Sequence, residues 1–269
     1  MHPPAGGRRS AIMLRDSLVA LLLVLPLTAA PARADDAGPW LRRAAGAERR
    51  FDAGEALRCY LAADAAEPGN AVILQKIARQ YSDLADDQPT LEQKRRFAGR
   101  ALEYAQRAVQ LAPANAANVL SLAISHAKLA LWSDLRTKVA DSRLVEAEAE
   151  RAVQLDPHYA WAHHILGRWN YEVAELSGSA RLWVRLFYGG LPPASTAEAV
   201  RELQRAVELE PEEPAHRIEL GFAYLAAGQP GAARTQFEAG LAMPIRARYD
   251  EAAQARARAA LAGLDAASR

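Results

Sequence analysis

Four stretches of the sequence end in related six-residue phrases, and this repetition constrains the fold more than any other feature. Three of these phrases are nearly identical: AVQLAP at residues 108–113, AVQLDP at 152–157 and AVELEP at 206–211. The fourth, residues 63–68, shares with them only an Ala five positions before a Pro. Each phrase ends in Pro, which cannot continue the hydrogen-bond ladder of a helix. A small or branched residue stands seven positions before the Ala of each phrase: Ala56, Ala101, Val145 and Ala199. Small side chains at this spacing let paired helices approach closely, so the chain is predicted to be a row of helical hairpins.

The segment that follows each Pro has a matching pattern of its own. A Leu or Ile precedes a small residue at Ile77-Ala78, Leu122-Ala123, Leu166-Gly167 and Leu220-Gly221, and Trp40 and Ala44 stand in the same frame at the start. Together the two patterns are typical of tetratricopeptide (TPR) repeats. The prediction is an all-α superhelix with about five repeats in residues 35–245 and a capping helix and tail in residues 246–269, since open-ended arrays need a polar cap.

Three repeats are longer than the others. From the small residue of the first helix to the small residue of the second, the first and fifth repeats have 12 positions, whereas the second, third and fourth have 23, 22 and 32. We therefore expect insertions as long turns within these repeats, near residues 84–95, 133–142 and 175–195. They should lie together on one edge of the array, where repeat proteins often carry function.

The first 34 residues have the pattern of an export signal. Basic residues precede the apolar run Leu18–Leu27, and Ala32-Arg33-Ala34 offers small residues for cleavage before Asp35. The apolar run has ten residues, whereas a membrane-spanning helix needs roughly 20. The protein is accordingly expected in the periplasm or secreted, and its single cysteine, Cys59, is expected to be a small buried side chain without a disulfide partner.

The composition argues against several classes of function. The chain has 33 basic and 32 acidic residues, so no strong field favours a nucleic-acid partner. No phosphate-binding glycine loop, nucleophile elbow or acid–base constellation is present in the sequence, and a non-enzyme without a cofactor is expected. His158, His163 and His164 are not spaced by the four residues that would place two of them on one helical face, so a metal site is not expected.

Two segments resemble a known family. The string His163–Ala174, HHILGRWNYEVA, and the later Gly189–Thr196, GGLPPAST, are similar to the regulator of microtubule dynamics protein family. The similarity extends over most of residues 50–245. Members are TPR proteins with irregular, long-turned repeats, and the resemblance implies a role in scaffolding or tethering. A tubulin partner is not carried over, because an export signal does not suit one.

The first helix of the fourth repeat is the predicted partner site. In TPR arrays the first helices line the concave groove, so its outward side should present Trp161, His164, Arg168, Tyr171 and Glu172. Facing helices should add Leu120, Ile124, Ile218 and Phe222. Two alternatives stay open: Arg168 pairs only with Glu172 four positions on, and inserted turns bury the apolar residues as core.

These residues support two binding hypotheses. The first is a non-catalytic scaffold that holds a protein or peptide partner in the groove. The alternative is a carrier of a lipid or another apolar ligand in the same groove.

The longest insertion combines aromatic and basic residues. Between Leu176 and Thr196 stand Arg181, Trp183, Arg185, Phe187 and Tyr188, before Gly189-Gly190. Such a segment suits a membrane interface, a lid over the groove hinged at the glycines, or a packed extra helix.

Overall fold

The computed structural model describes residues 36–267, and in this part of the chain the regular structure is α-helical without strands. The predicted signal segment, residues 1–34, lies outside it. The helices have these bounds: α1 Gly38–Arg49, α2 Ala53–Ala66, α3 Ala71–Ala85, α4 Leu91–Leu111, α5 Ala116–Ala130, α6 Leu135–Leu155, α7 Ala160–Ala174, α8 Gly178–Tyr188, α9 Thr196–Leu209, α10 Pro214–Ala226, α11 Pro230–Leu241 and α12 Asp250–Ala267.

Ten of these helices form five hairpins in chain order. The pairs are α1 with α2, α3 with α4, α5 with α6, α7 with α9, and α10 with α11. Helix α12 packs on α10 and α11 and ends the row. The predicted all-α repeat fold is therefore confirmed.

Small residues lie buried in the helix packing of the repeats. The Ala residues of the repeat phrases, Ala63, Ala108, Ala152 and Ala206, have no exposed surface. A β-carbon added to Gly167 would lie 2.7 Å from Cγ of Leu203, and one added to Gly221 would lie 2.5 Å from a ring carbon of Phe237. The first helix thus approaches the second too closely for any side chain at these positions.

Polar side chains define where the helices begin. The side chains of Asn70, Thr90, Asn115, Asp134 and Ser195 each accept a hydrogen bond from a backbone N–H in the first turn of the helix that follows. Such caps satisfy donors that the helix itself leaves free. Helices α10 and α11 begin with Pro instead, which needs no N–H partner there.

The insertions lie between the first and second helices of their repeats, but they take different forms. In the second and third repeats they extend α4 and α6 to 21 residues each, because the caps at Thr90 and Asp134 start these helices early. The connections themselves are short, residues 86–90 and 131–134. Only the fourth repeat carries a separate element, α8, followed by an irregular stretch, residues 189–195.

First helices stand side by side along one wall of the array. Helix α3 contacts α5, α5 contacts α7, α7 contacts α10, and α10 contacts α12. Their shared face borders a cavity.

Candidate functional site

A cavity of about 720 Å³ lies on the wall formed by the first helices. Most of its lining comes from α3, α5, α7, α10 and α12, with Val145 of α6 and a few residues of the connections. We call it the concave cavity. Six of the nine residues predicted from the sequence line it: Leu120, Ile124, Trp161, His164, Arg168 and Glu172.

The other three predicted residues lie inside the helix packing. Tyr171 is 5% exposed and donates a hydrogen bond of 2.5 Å to Glu219. Each residue of a helix is rotated about 100° from the one before it. Tyr171, ten positions after Trp161, therefore points roughly 80° away from it, whereas Arg168, seven positions after Trp161, points within about 20° of it. Tyr171 therefore points toward α10, and its predicted place among the groove residues is corrected to the helix packing.

Ile218 and Phe222 are also not part of the cavity lining, because both turn toward α11. Ile218 has no exposed surface and lies against Gly240. A β-carbon added to Gly240 would be 2.8 Å from Cγ1 of Ile218. The ring of Phe222 packs edge-on against Phe237, with centroids 4.9 Å apart. Their predicted place in the groove is corrected to the hairpin core of α10 and α11.

Aromatic rings form one part of the cavity wall. The centroid of Trp161 lies 4.7 Å from those of both His164 and His216, and 5.4 Å from that of Tyr249. The Nδ1 atoms of the two histidines are 2.9 Å apart, so one ring donates and the other accepts. Burial lowers the pKa of His164 to about 3, with a further contribution from Arg168. Both rings are buried and this part of the wall is uncharged at neutral pH.

A chain of charged groups runs beside the rings. Nε of Arg168 donates to Glu172 over 2.7 Å, and Nη1 of Arg168 lies 3.9 Å from Glu219. Arg256 of α12 donates to Glu219 over 2.7 Å. Burial acts to lower the pKa of Arg168, but the carboxylates of Glu219 and Glu172 outweigh it and raise that pKa, so the guanidinium stays cationic.

The pairing of Arg168 with Glu172, one of the two sequence-based alternatives, is thus present. Their side chains are 43% and 51% exposed. A surface pair of this kind contributes only about 0.3–0.5 kcal/mol, so a ligand carboxylate could exchange with Glu172 at little cost.

The C-terminal part of the chain closes one side of the cavity. Between α11 and α12, residues 242–249 bring Arg248 into a salt bridge with Asp87 and place Tyr249 against Trp161. We call this segment the strap. The inserted segment 175–195 contributes no residue to the cavity lining. The lid interpretation of that insertion is therefore not supported, and it is the strap that packs against Trp161.

The charges around the cavity are balanced. Five basic side chains line it, Arg79, Lys128, Arg168, Arg248 and Arg256, against six acidic ones, Asp83, Asp86, Asp87, Glu172, Glu219 and Glu251. A polyanion would find no net attraction here. Apolar and charged side chains therefore share the cavity wall.

Sequence reasoning missed four residues that shape the cavity: Arg79, Glu219, Tyr249 and Arg256. Arg79 follows the small Ala78 of the second repeat, so the repeat phase alone could have found it as the equivalent of Arg168, which follows Gly167. Tyr249 and Arg256 reach the cavity through the strap and α12, and no local pattern predicts that approach.

Other side chains singled out in the sequence have structural partners. Nδ1 of His163 lies 2.6 Å from Glu202 of α9, and this hydrogen bond raises the pKa of His163. Cys59 is 2% exposed, as expected. Residues 36–267 contain no cluster of three or more side chains suited to a metal ion. In the same residues, no helix combines the length and the apolar character that crossing a bilayer requires.

The fold defines the class of this protein as a TPR-type helical-repeat protein. Residues 43–265 match the family described as Regulator of microtubule dynamics protein 1-3, and the chain belongs to that family.

Relatives agree with this assignment, and a solved structure shares the fold. Regulator of microtubule dynamics protein 1 of Bos taurus is 28% identical over 167 residues, covering 61% of this chain and 53% of the relative. Regulator of microtubule dynamics protein 3 of Xenopus laevis is 30% identical over 138 residues, covering 51% of this chain and 30% of that protein. The chain thus spans about half or less of the relatives it matches. A thermophilic TPR protein of Thermus thermophilus has a TM-score of 0.62 at 20% identity, covering 84% of this chain and 99% of that one, and shares the fold.

Proposed function

We propose that the protein is an exported, non-catalytic scaffold that holds a segment of a partner protein in the concave cavity. The observation that carries the proposal is the lining of the cavity, where aromatic and aliphatic side chains stand beside arginines that have weak or exchangeable partners. Aromatic residues and arginine dominate the energetics of protein interfaces.

The apolar part of the wall would hold a side chain of the partner. Trp161, Ile124 and Ile165 line the cavity and are partly exposed. Trp161 is fixed by its neighbouring rings, so little side-chain entropy is lost when a ligand packs on it.

Two arginines would hold a carboxylate of the partner. Nε of Arg79 lies 4.0 Å from Asp83, beyond hydrogen-bond distance, so Arg79 retains free donors. Burial raises the pKa of Asp83, while Arg79 opposes the shift. Arg168 has only its exposed pair with Glu172 at hydrogen-bond distance. Arginine can bind a carboxylate through two parallel hydrogen bonds. The expected ligand is a segment with an aliphatic or aromatic side chain close to a carboxylate.

The apolar-ligand alternative has less support. Eleven charged side chains line the cavity, which suits a peptide better than an acyl chain. Mass spectrometry of the purified protein decides between the two: a lipid that co-purifies in stoichiometric amounts would favour the carrier hypothesis.

Export is the second element of the proposal and depends on residues 1–34 alone. Fractionation of the native host followed by N-terminal sequencing should give a mature chain that starts at Asp35 in the periplasmic or secreted fraction. A cytoplasmic protein with an intact N-terminus would remove export from the proposal and leave the cavity argument standing.

The binding test uses a double variant, Trp161→Ala with Arg168→Ala, as bait in extracts of the native host. Partners held by the cavity should be lost. The matched control is Arg201→Ala, because Arg201 forms an exposed pair with Glu198 on α9, outside the cavity lining. Each variant is first checked for an unchanged helical signal. Retention of the same partners by the double variant would reject the assigned cavity.

A further inference from the structure

Helix α8 lies outside the repeat hairpins and is held in place at both ends. Arg143 of α6 donates to the carbonyl oxygens of Tyr188 and Gly190, and Arg181 donates to carbonyl oxygens at the end of α7. Ser177 caps its first turn, and Gly189 ends it with a φ of 80°. Helix α8 is therefore capped and anchored to α6 and α7 through its two ends.

The side of α8 that faces away from the array is apolar. Val184 is buried, whereas Leu182, Trp183, Leu186 and Phe187 are 57%, 55%, 67% and 62% exposed. Their spacing places them on one stripe of the helix, and the rings of Trp183 and Phe187 are 4.1 Å apart. Single exposed apolar residues are common on proteins, but a contiguous group that includes Trp and Phe marks an interaction surface.

The charge on this segment has one sign. From Leu176 to Ala197 the sequence has two basic residues, Arg181 and Arg185, and no acidic one. None of the salt bridges among residues 36–267 includes either arginine. This contrasts with the concave cavity, where acidic and basic groups alternate.

We propose that α8 is an interfacial helix that docks the protein on an anionic lipid bilayer. Its exposed stripe would enter the boundary between headgroups and acyl chains, with Trp183 at the level where aromatic rings favour the interface. Arg185, on the flank of the stripe, would reach the lipid phosphates. A protein partner that matched this face would need its own excess of carboxylates around an apolar groove, whereas an anionic bilayer supplies both features at once.

Docking through α8 leaves the cavity accessible. No residue of α8 lines the cavity. The proposal is therefore independent of the function assigned to the cavity, and a scaffold bound in this way would present its partner site close to a membrane surface.

Co-sedimentation with vesicles tests the proposal. The chain from Asp35 onward, which lacks the apolar run of the predicted signal and forms one compact unit, is mixed with vesicles of phosphatidylcholine alone or of equal parts phosphatidylcholine and phosphatidylglycerol. Binding should be clear on the anionic vesicles and weak on the neutral ones. Replacing Trp183 and Phe187 together by Ser should weaken binding by more than about tenfold, because both side chains lose their burial in lipid. Arg185→Glu should weaken binding to anionic vesicles alone, by about tenfold.

Two control variants separate this surface from others. Leu111→Ser with Leu155→Ser removes exposed apolar side chains at the ends of α4 and α6 and should leave vesicle binding unchanged. Arg168→Ala in the cavity should also bind vesicles normally. Absence of binding by the folded wild type, or equal binding by the Trp183 and Phe187 variant, would overturn the proposal. The proposal would also be overturned if the wild type had twice the mass of one chain in solution and the Trp183 and Phe187 variant had the mass of a single chain. That result would assign the stripe to a second copy of this chain.

Discussion

The crossing of α7 and α9 at Gly167 provides the sharpest test of the repeat packing. Replacing Gly167 by Ala adds one methyl group whose carbon would lie 2.7 Å from Cγ of Leu203 and 3.1 Å from the backbone oxygen of Ala199. Leu203 has no exposed surface, so neither contact can be relieved by a side chain that turns into solvent. The two helices must move apart, or Leu203 must leave its rotamer.

The expected magnitude is the difference between two opposing effects. Overpacking of a well-packed core costs about 1–3 kcal/mol. Ala in place of Gly inside a helix gains about 1 kcal/mol from helix propensity. Gly167→Ala should therefore lower the free energy of unfolding by up to about 2 kcal/mol. Gly99 of α4 is the matched control, because a β-carbon there meets no heavy atom within 4 Å outside its own helix. Gly99→Ala should raise stability by about 0.5–1 kcal/mol.

Chemical unfolding followed by circular dichroism at the helical band measures both variants. The midpoints should move in opposite directions, and the corresponding thermal midpoints should differ by several degrees, since about 1 kcal/mol corresponds to roughly 2–4 °C in a chain of this size. If Gly167→Ala were as stabilising as Gly99→Ala, the helices would not cross at this residue and the phase of the repeats would be wrong.

Two further variants test buried polar groups. Tyr171→Phe removes the hydrogen bond that the buried carboxylate of Glu219 accepts, and it should lower the free energy of unfolding by about 1–3 kcal/mol. Tyr224→Phe is the control, because the Tyr224 hydroxyl accepts from the exposed amide of Gln204, and it should cost less than about 1 kcal/mol. Equal melting temperatures of the two variants would contradict the assigned bond. Burial, reinforced by Asp250, raises the pKa of Glu213 from 4.5 to about 7. Between these pH values the folded state binds more protons than the unfolded state. The contribution of Glu213 to stability therefore falls as pH rises through that window. Glu213→Gln should therefore lose less stability than the wild type between about pH 5 and about pH 8 in urea titrations, and an identical loss would show that Glu213 is not the group responsible.

The sequence predicted the hairpins well because they depend on local rules. The small residues Ala108, Ala152 and Ala206 are fully buried in the helix packing, and the Pro residues that follow end each repeat. Periodicity of this kind is visible without a structure.

The site was predicted only in part, for reasons that concern geometry. Residues on the exposed stripe of α7, such as Trp161 and Arg168, follow from helical rotation, and Tyr171 was misplaced because its offset turns it into the core. The contribution of the strap and α12 could not be predicted, because Tyr249 and Trp161 are in contact although they lie 88 positions apart in the sequence. Contacts between residues so far apart in the sequence depend on how all the helices of the array pack together.

Site-specific photo-crosslinking in the native host tests the central claim, that the concave cavity holds a partner segment. A photoreactive amino acid replaces Ile124 in the cavity lining or, as the control, Arg201 on the outer helix α9. The account predicts a single identified protein crosslinked from position 124, mapped to one segment of that protein, and no such adduct from position 201. Adducts of the same protein from position 201 alone would place the partner on α9, outside the cavity, and contradict the account.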